Sequence, residues 1–279
     1  MKNLRKIVSI TLGALVCMSS PVFATGETAP YITQAGISAS VEYSTNLVTI
    51  YGVSPTATIT VVEERTNTTS YLYSPQEKLS VQLDGQTQYT FQGDYNRKYT
   101  IKVSDANGTQ TTELYTDKTY SNSELVKQLR ATGLFNTQAS AEAQLVDVTI
   151  PIWKLVNGEK VASTATIKVH PIIENETMLI FQEIFYGPEQ FPIKYVAGYS
   201  WRGAGSSSLH NLGLAIDLNW EENYCDYGNG TIVGKYWSPD EDVYSISPYG
   251  DVVRAFENHG FIWGGDAWST TLDYMHFNY

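Results

Sequence analysis

The sequence predicts a protein of the α+β class, and two observations lead to that prediction. Residues 31–117 contain short runs of β-branched and aromatic residues at about ten-residue spacing, without a helical pattern between them. Residues 146–279 combine strand-like alternation with two amphipathic helix patterns, at 175–186 and 251–258. We therefore expect a small all-β domain followed by a mixed domain of helices and strands.

The first domain is predicted to be a β-sandwich. Its expected strands are 48–53, 57–63, 79–83, 88–92, 98–104 and 111–116. Asp84-Gly85 and Asn107-Gly108 are typical of tight hairpins, because Gly and Asn tolerate positive φ.

Residues 118–145 form a predicted connector with one helix. Ser121 and Glu124 fit a capping box, and Gly133 follows as a stop signal. The second domain, 146–279, then begins with a strand that turns back at Asn157-Gly158. The return strand is expected to end near His170, which we interpret as a structural residue.

The N-terminus is typical of an export signal. Three cations precede an apolar run at 7–18, and Val22-Phe23-Ala24 resembles a cleavage site. A run of ~12 apolar residues is shorter than the ~20 that a spanning helix needs. We expect residues 1–24 to be removed and the product to be secreted or associated with the cell wall, without a membrane anchor.

The charge of the mature chain excludes two classes of partner. Loss of residues 1–24 removes three cations and no anions, so the net charge becomes −11 − 3 = −14. Nucleic acids and anionic membranes require clustered Lys and Arg, so neither is an expected partner. Only Cys225 remains in the mature chain, so no internal disulfide is expected.

The segment from Ser208 to Asp217 is the first candidate site. Alternation over 213–218 places Leu214, Ile216 and Leu218 on one face of a strand and Asp217 on the other. Small residues beside Asp217 leave space for an ion, and His210 lies just before the strand. The alternative is a turn histidine with a solvated aspartate.

The second candidate segment is 273–277, where Asp273 stands three residues before His276. A carboxylate in that position can lie near a metal without binding it and take a proton from the attacking water. The alternative is a histidine packed in a terminal strand. Two imidazoles and two carboxylates within one domain match the needs of a three-ligand zinc site plus a general base.

The two segments together resemble the zinc D-alanyl-D-alanine carboxypeptidase family. The pattern is Ser-x-His-x-x-Gly-x-Ala-x-Asp followed by Asp-x-x-His-Phe, and the likeness spans roughly residues 146–279. This family includes vancomycin-resistance D,D-peptidases and phage L-alanyl-D-glutamate endolysins, and it shares its fold with the hedgehog signalling domain. The resemblance implies that a zinc peptidase domain with this fold follows the small β-sandwich domain in the sequence.

The resemblance also implies roles for individual residues. Zinc would be bound by His210, Asp217 and His276, with Asp273 as the base. Arg202 matches an arginine that contacts the substrate or the developing oxyanion. Ser208 and Trp263 are further candidate substrate contacts, and Asp266 is a competing candidate for the base.

The implied activity is hydrolysis of peptidoglycan stem peptides. Removal of a terminal D-alanine is preferred, because Arg202 also suits a terminal carboxylate. Cleavage of the L-alanyl-D-glutamate bond remains open, as does a wall-binding module without catalysis. A thiol peptidase that uses Cys225 and His259 is less favoured, because no helix start lowers the pKa of Cys225 and His259 suits a helix terminus.

Overall fold

The computed structural model of the protein describes residues 36–67 and 72–279. The predicted export signal at 1–24 lies outside the described residues. Two compact units are present: residues 36–66 with 73–118, and residues 67 and 72 with 119–279. Among the described residues, no helix has both the length and the apolar character needed to cross a bilayer.

The first unit consists of two antiparallel sheets. Its described strands are β1 (Ser38–Glu42), β2 (Leu47–Tyr51), β3 (Thr58–Arg65), β4 (Gln76–Gln82), β5 (Gln88–Gln92), β6 (Arg97–Asp105) and β7 (Gly108–Tyr115). One sheet has the order β1-β2-β5, and the other has the order β4-β3-β6-β7. Residues from both sheets, including Ile50 and Ile101, belong to one buried hydrophobic cluster. This arrangement is compatible with the predicted sandwich.

One of the two predicted hairpins in this unit is wrong. Asn107-Gly108 does lie at the β6–β7 hairpin, but Asp84-Gly85 connects β4 to β5, which belong to different sheets. Gly85 has a φ of +84°, so the turn itself is present. A local turn signal sets how the chain bends, whereas long-range pairing decides which sheet the next strand joins.

The second unit mixes short helices with three small sheets. Its described elements are α1 (Ser123–Ala131), α2 (Gln138–Glu142), β8 (Val146–Val156), β9 (Glu159–Val169), α3 (Glu174–Tyr186), β10 (Val196–Ala197), β11 (Ala215–Leu218), β12 (Asn223–Asp226), β13 (Ile232–Trp237), α4 (Asp251–Asn258), β14 (Ile262–Trp263), β15 (Leu272–Asp273) and β16 (His276–Asn278). The sheets are β8-β9, β10-β11-β16-β14 and β13-β12-β15. The described protein is mostly sheet with few helices, which is compatible with the predicted α+β class.

Helix α1 begins one residue later than the predicted capping box requires. The N-cap is Asn122, whose Oδ1 accepts a hydrogen bond from the Leu125 backbone N at 3.4 Å. The capping box from Ser121 to Glu124 is therefore wrong. Both Ser and Asn are good N-cap residues, so neighbouring candidates compete and the sequence does not separate them.

The β8–β9 hairpin forms where the sequence predicts it. Asn157 and Gly158 both have positive φ, at +54° and +85°, as a two-residue hairpin turn requires. The strand β9 leads to His170, whose Nδ1 accepts a hydrogen bond from the Ile172 backbone N at 3.2 Å. His170 therefore caps the 3-10 turn at Pro171–Ile173, in agreement with its structural interpretation.

His259, directly after α4, links that helix to α3. Its Nδ1 lies 2.6 Å from Glu176 Oε2, and its Nε2 lies 2.8 Å from Glu183 Oε1. Burial favours the neutral ring, but the hydrogen bonds and charges of the two glutamates outweigh it and raise the pKa of His259. Both ring nitrogens of His259 contact a glutamate carboxylate, which supports a structural role for this residue.

We expect His259→Gln to destabilise the protein in a pH-dependent way. Because the folded pKa is raised, the stabilisation is complete below the unfolded pKa of about 6.5 and is lost as the pH rises through the folded pKa. Partly exposed pairs contribute little, so a loss of about 1 kcal/mol near pH 6 is expected. Thermal unfolding of both proteins from pH 6 to 10 measures it, and a pH-independent difference would contradict the ion-pair account.

Candidate metal centre

His210 lies in a 3-10 turn, Leu209–Leu212, that leads into strand β11. The turn ends at Gly213, which has a φ of +65°. A Cβ at Gly213 would lie 2.7 Å from the backbone N of His170, so a side chain there would clash. Glycine is therefore required both by conformation and by space, and it directs the chain from His210 into β11.

Strand pairing brings Asp217 and His276 together. β11 is antiparallel to β16, and Asp217 is directly opposite His276 in the register. The neighbours Ile216 and Phe277 also form a pair and are fully buried. Because side chains alternate across a strand, burial of that pair turns Asp217 and His276 to the opposite face.

The three predicted metal ligands converge. His210 Nε2 lies 3.0 Å from Asp217 Oδ2, and His276 Nδ1 lies 2.8 Å from Asp217 Oδ1. The two ring nitrogens that face Asp217 are 3.2 Å apart. One ligand atom from each residue lies within 4.8 Å of the others, which is close enough to bind a common ion.

The second nitrogen of each imidazole is held by an oxygen acceptor. His210 Nδ1 lies 2.5 Å from the carbonyl oxygen of Gly198, and His276 Nε2 lies 2.6 Å from Asn278 Oδ1. Each of these nitrogens donates its proton, which leaves His210 Nε2 and His276 Nδ1 as the ligand atoms in the neutral rings. Such partners are typical of metal-binding histidines, because they fix the tautomer and the ring orientation.

Charge in this cluster favours a bound cation. Burial acts to raise the pKa of Asp217, but hydrogen bonds to His210 and His276 outweigh it and hold the pKa below its usual range. Burial likewise opposes protonation of His276, but Asp217, Asp273 and Asn278 together raise its pKa to about 9. Two imidazoles and one carboxylate are a common donor set of catalytic zinc sites, so the residues fit zinc.

Asp273 lies on β15, directly opposite Cys225 of β12. Its Oδ1 is buried and has no hydrogen-bond partner among the described residues. Burial raises the pKa of Asp273 to about 6. A buried carboxylate oxygen without a hydrogen-bond partner costs free energy, so this oxygen does not stabilise the fold through a hydrogen bond.

Cys225 is unsuited to be a nucleophile. Its side chain is buried, and burial together with the charge of Asp273 raises the pKa of the thiol to about 12. Its proposed partner His259 is engaged by two glutamates, as described above. Burial and the high pKa of the thiol therefore do not support a thiol peptidase.

Arg202 and Ser208 flank the loop that precedes His210. The Arg202 side chain is exposed, and its Nε donates to Ser200 Oγ at 3.3 Å. Ser208 is half-buried, and its backbone N donates to Ser206 Oγ at 3.3 Å. Arg202 is therefore free to meet a ligand from solvent, whereas the contacts of Ser208 are those of an ordinary turn.

The metal centre lies in a part of the chain that matches a known protein family. Residues 202–279 match the model of the D-alanyl-D-alanine carboxypeptidase family. This segment of the chain is therefore similar to that family. The match supports a peptidoglycan-related peptidase. No curated protein and no solved structure matches the chain.

Two other candidate site residues within 202–279 are both fully buried and hydrogen-bonded within the protein. Trp263 is 0% exposed, and its Nε1 donates to the carbonyl oxygen of Tyr274 at 2.9 Å. A fully buried ring offers no surface to a ligand, so Trp263 does not fit the predicted substrate contact. Asp266 is also fully buried and accepts a hydrogen bond from Asn67 Nδ2 at 2.8 Å, so its carboxylate already has a partner.

Several residues around the metal centre were not predicted from the sequence. Gly198 and Asn278 hold the histidines, and the ring centroid of Trp268 lies 5.9 Å from that of His276. The contact between Asn278 and His276 could have been predicted, because residues i and i+2 of a strand lie on the same face. Gly198 acts through its backbone carbonyl, and a backbone contact leaves no signal in residue type.

We expect Asn278→Ala to weaken metal binding by about 10–100-fold, the usual range for a residue that orients a metal-bound histidine. The loss follows because His276 Nε2 no longer has its acceptor at 2.6 Å. Competition with a chromogenic chelator measures the affinity. Asn175→Ala, at an exposed position on α3, is the control, and equal affinities for both variants would contradict the orienting role.

Proposed function

We propose that the protein is a secreted zinc peptidase that hydrolyses peptidoglycan stem peptides. The preferred reaction removes the terminal D-alanine from a D-alanyl-D-alanine end. The alternative within the same class is hydrolysis of the L-alanyl-D-glutamate bond.

The convergence of His210, Asp217 and His276 is the observation that carries the proposal. Their ligand atoms lie together, and both histidines have an oxygen acceptor on the second nitrogen. The match of residues 202–279 to a peptidase family supports the same conclusion independently. When bound, zinc supplies Lewis-acid polarisation of the scissile carbonyl and favours ionisation of a water molecule.

Asp273 acts as the general base in this proposal. Its Oδ1 has no protein partner among the described residues, so it is available to accept a proton from the attacking water. After the attack, the same carboxyl group delivers that proton to the leaving amine, and the peptide bond breaks. The pairing of β15 with β12, in which Asp273 stands opposite Cys225, holds the backbone of Asp273 in place.

Arg202 binds the substrate in this proposal. A guanidinium forms two parallel hydrogen bonds to a carboxylate, so an exposed arginine beside the site suits a peptide with a free C-terminus. That preference favours the carboxypeptidase over the endopeptidase. The same cation also suits an oxygen that gains negative charge during attack.

Defined muropeptides distinguish the two cleavages. The protein, loaded with zinc, is incubated with a stem pentapeptide that ends in D-alanyl-D-alanine, and the products are identified by mass. We expect free D-alanine and a tetrapeptide, and no product with a chelator present. A fragment that begins at D-glutamate would establish the endopeptidase instead. Zinc binding with no cleavage of any stem peptide would contradict the peptidase proposal and favour a wall-binding module.

Export is proposed from the sequence of residues 1–24. Fractionation of cells that express the full chain tests it, with N-terminal sequencing of the mature product. We expect the protein outside the cytoplasm and a new N-terminus at Thr25. Retention of an uncleaved chain in the cytoplasm would contradict this part of the proposal without affecting the peptidase chemistry.

A further inference from the structure

Asn211, directly after His210, joins the metal centre to the loop that precedes it. Its side chain is only 3% exposed, so its amide must find partners within the protein. Oδ1 accepts a hydrogen bond from the Arg202 backbone N at 2.5 Å, and Nδ2 donates to the Gly203 carbonyl oxygen at 2.7 Å. One side chain thus holds the backbone on both sides of the Arg202–Gly203 peptide.

The following loop, residues 203–207, has little packing of its own. Gly203 and Gly205 have φ values of +96° and +72°. A Cβ built at either position meets no atom within 4 Å, so the space on that side of the backbone is open. Hydrogen bonds to the loop backbone therefore contribute more to its position than packing of the loop's own side chains.

A second side chain holds the far end of the 203–207 loop. Arg130, near the end of α1, donates from Nη2 to the Ser207 carbonyl oxygen at 2.6 Å and to the Ser206 carbonyl oxygen at 3.4 Å. Helix α1 belongs to the predicted connector and lies outside the segment that matches the peptidase family. The loop is therefore held at one end by Asn211 and at the other by the connector helix.

We infer that Asn211 and Arg130 are positioning residues that fix the 203–207 loop and thereby set the place of Arg202 relative to the metal centre. The inference rests on the proposed role of Arg202 in substrate binding. Asn211 is suited to this role because it lies in the same 3-10 turn as His210. The His210 side chain is buried, so the turn is anchored in the protein. A displacement of Arg202 by about 1 Å is enough to lower catalysis by up to about 100-fold.

A double-mutant cycle tests Asn211. We expect Asn211→Ala to lower kcat/KM by about tenfold or more, mainly through KM, with zinc content unchanged. In an Arg202→Ala background the same change should have little further effect, because Asn211 acts through Arg202. Full additivity of the two losses would overturn the inference, since it would mean that Asn211 acts on the fold or the metal. Asn211→Asp keeps the acceptor for Arg202, and we expect it to recover part of the loss.

Amide hydrogen exchange provides a readout that does not depend on activity. The Arg202 N–H should exchange faster in Asn211→Ala, whereas the Leu214 N–H, which donates to the Leu209 carbonyl oxygen at 3.0 Å, should not change. Unchanged protection at Arg202 would overturn the inference even in an active enzyme. A wild-type protein that cleaves no stem peptide would instead refute the proposed function, and the exchange result would still decide whether Asn211 holds Arg202.

Arg130 has a matched control on the same helix. Lys127 is also a cation of α1, and its side chain is 80% exposed with only a 3.9 Å contact to Glu124. We expect Arg130→Ala to raise KM several-fold and to speed exchange at Ser208, whose N–H lies beside the held carbonyls. Lys127→Ala should change neither. Equal effects of the two variants would show that α1 influences the site only through its charge.

Discussion

Asp217→Asn is expected to abolish both zinc binding and peptide hydrolysis. Asp217 lies between the two imidazoles, at 3.0 Å from His210 Nε2 and 2.8 Å from His276 Nδ1. The change removes the only negative charge among the three ligands, and an amide is a poor ligand for zinc. The loss of affinity should exceed the about 100-fold upper range for a residue that only orients a ligand.

Zinc content after dialysis, measured by atomic absorption, checks this prediction. Asp147→Asn is the matched control, because it removes one carboxylate from an exposed ion pair with Lys168 on the β8–β9 hairpin. That control should keep both zinc and activity. Full zinc content in Asp217→Asn would show that the metal is bound elsewhere.

Asp273→Asn should separate the two effects, because zinc binding is kept and turnover is lost. Zinc stays bound, because Asp273 is not one of the three converging ligands. Turnover should fall by about 10²–10⁴-fold, the usual contribution of a general base. Asparagine has nearly the same shape as aspartate, so the β12–β15 pairing at Cys225 should be kept. The rate of hydrolysis of a stem peptide and the zinc content, measured on the same sample, check the expected loss of turnover and the expected retention of zinc.

Asp266 offers a direct comparison, because the sequence makes it a competing candidate for the base. Its carboxylate is fully buried and accepts a hydrogen bond from Asn67. We expect Asp266→Asn to affect thermal stability more than turnover. A large loss of turnover in Asp266→Asn, with normal rates in Asp273→Asn, would assign the base to Asp266.

Local sequence patterns correctly predicted the elements that depend only on neighbouring residues. The 157–158 hairpin turn and helix α4 form where expected, because positive φ at Asn-Gly and amphipathic periodicity depend on neighbouring residues. The predicted capping box of α1 and the predicted hairpin at Asp84-Gly85 were wrong. In the first case two cap residues compete locally, and in the second the partner strand is distant in sequence.

The sequence by itself determined which residue types are available for the metal centre, namely two imidazoles and two carboxylates within two short motifs. Only the tertiary structure decided that His210, Asp217 and His276 share one point, that Trp263 is inaccessible, and that Asn278 and Asn211 hold the site. The physical reason is that ligand chemistry is a property of single side chains. Orientation and access arise from strand register, from backbone carbonyls and from packing between segments far apart in the chain.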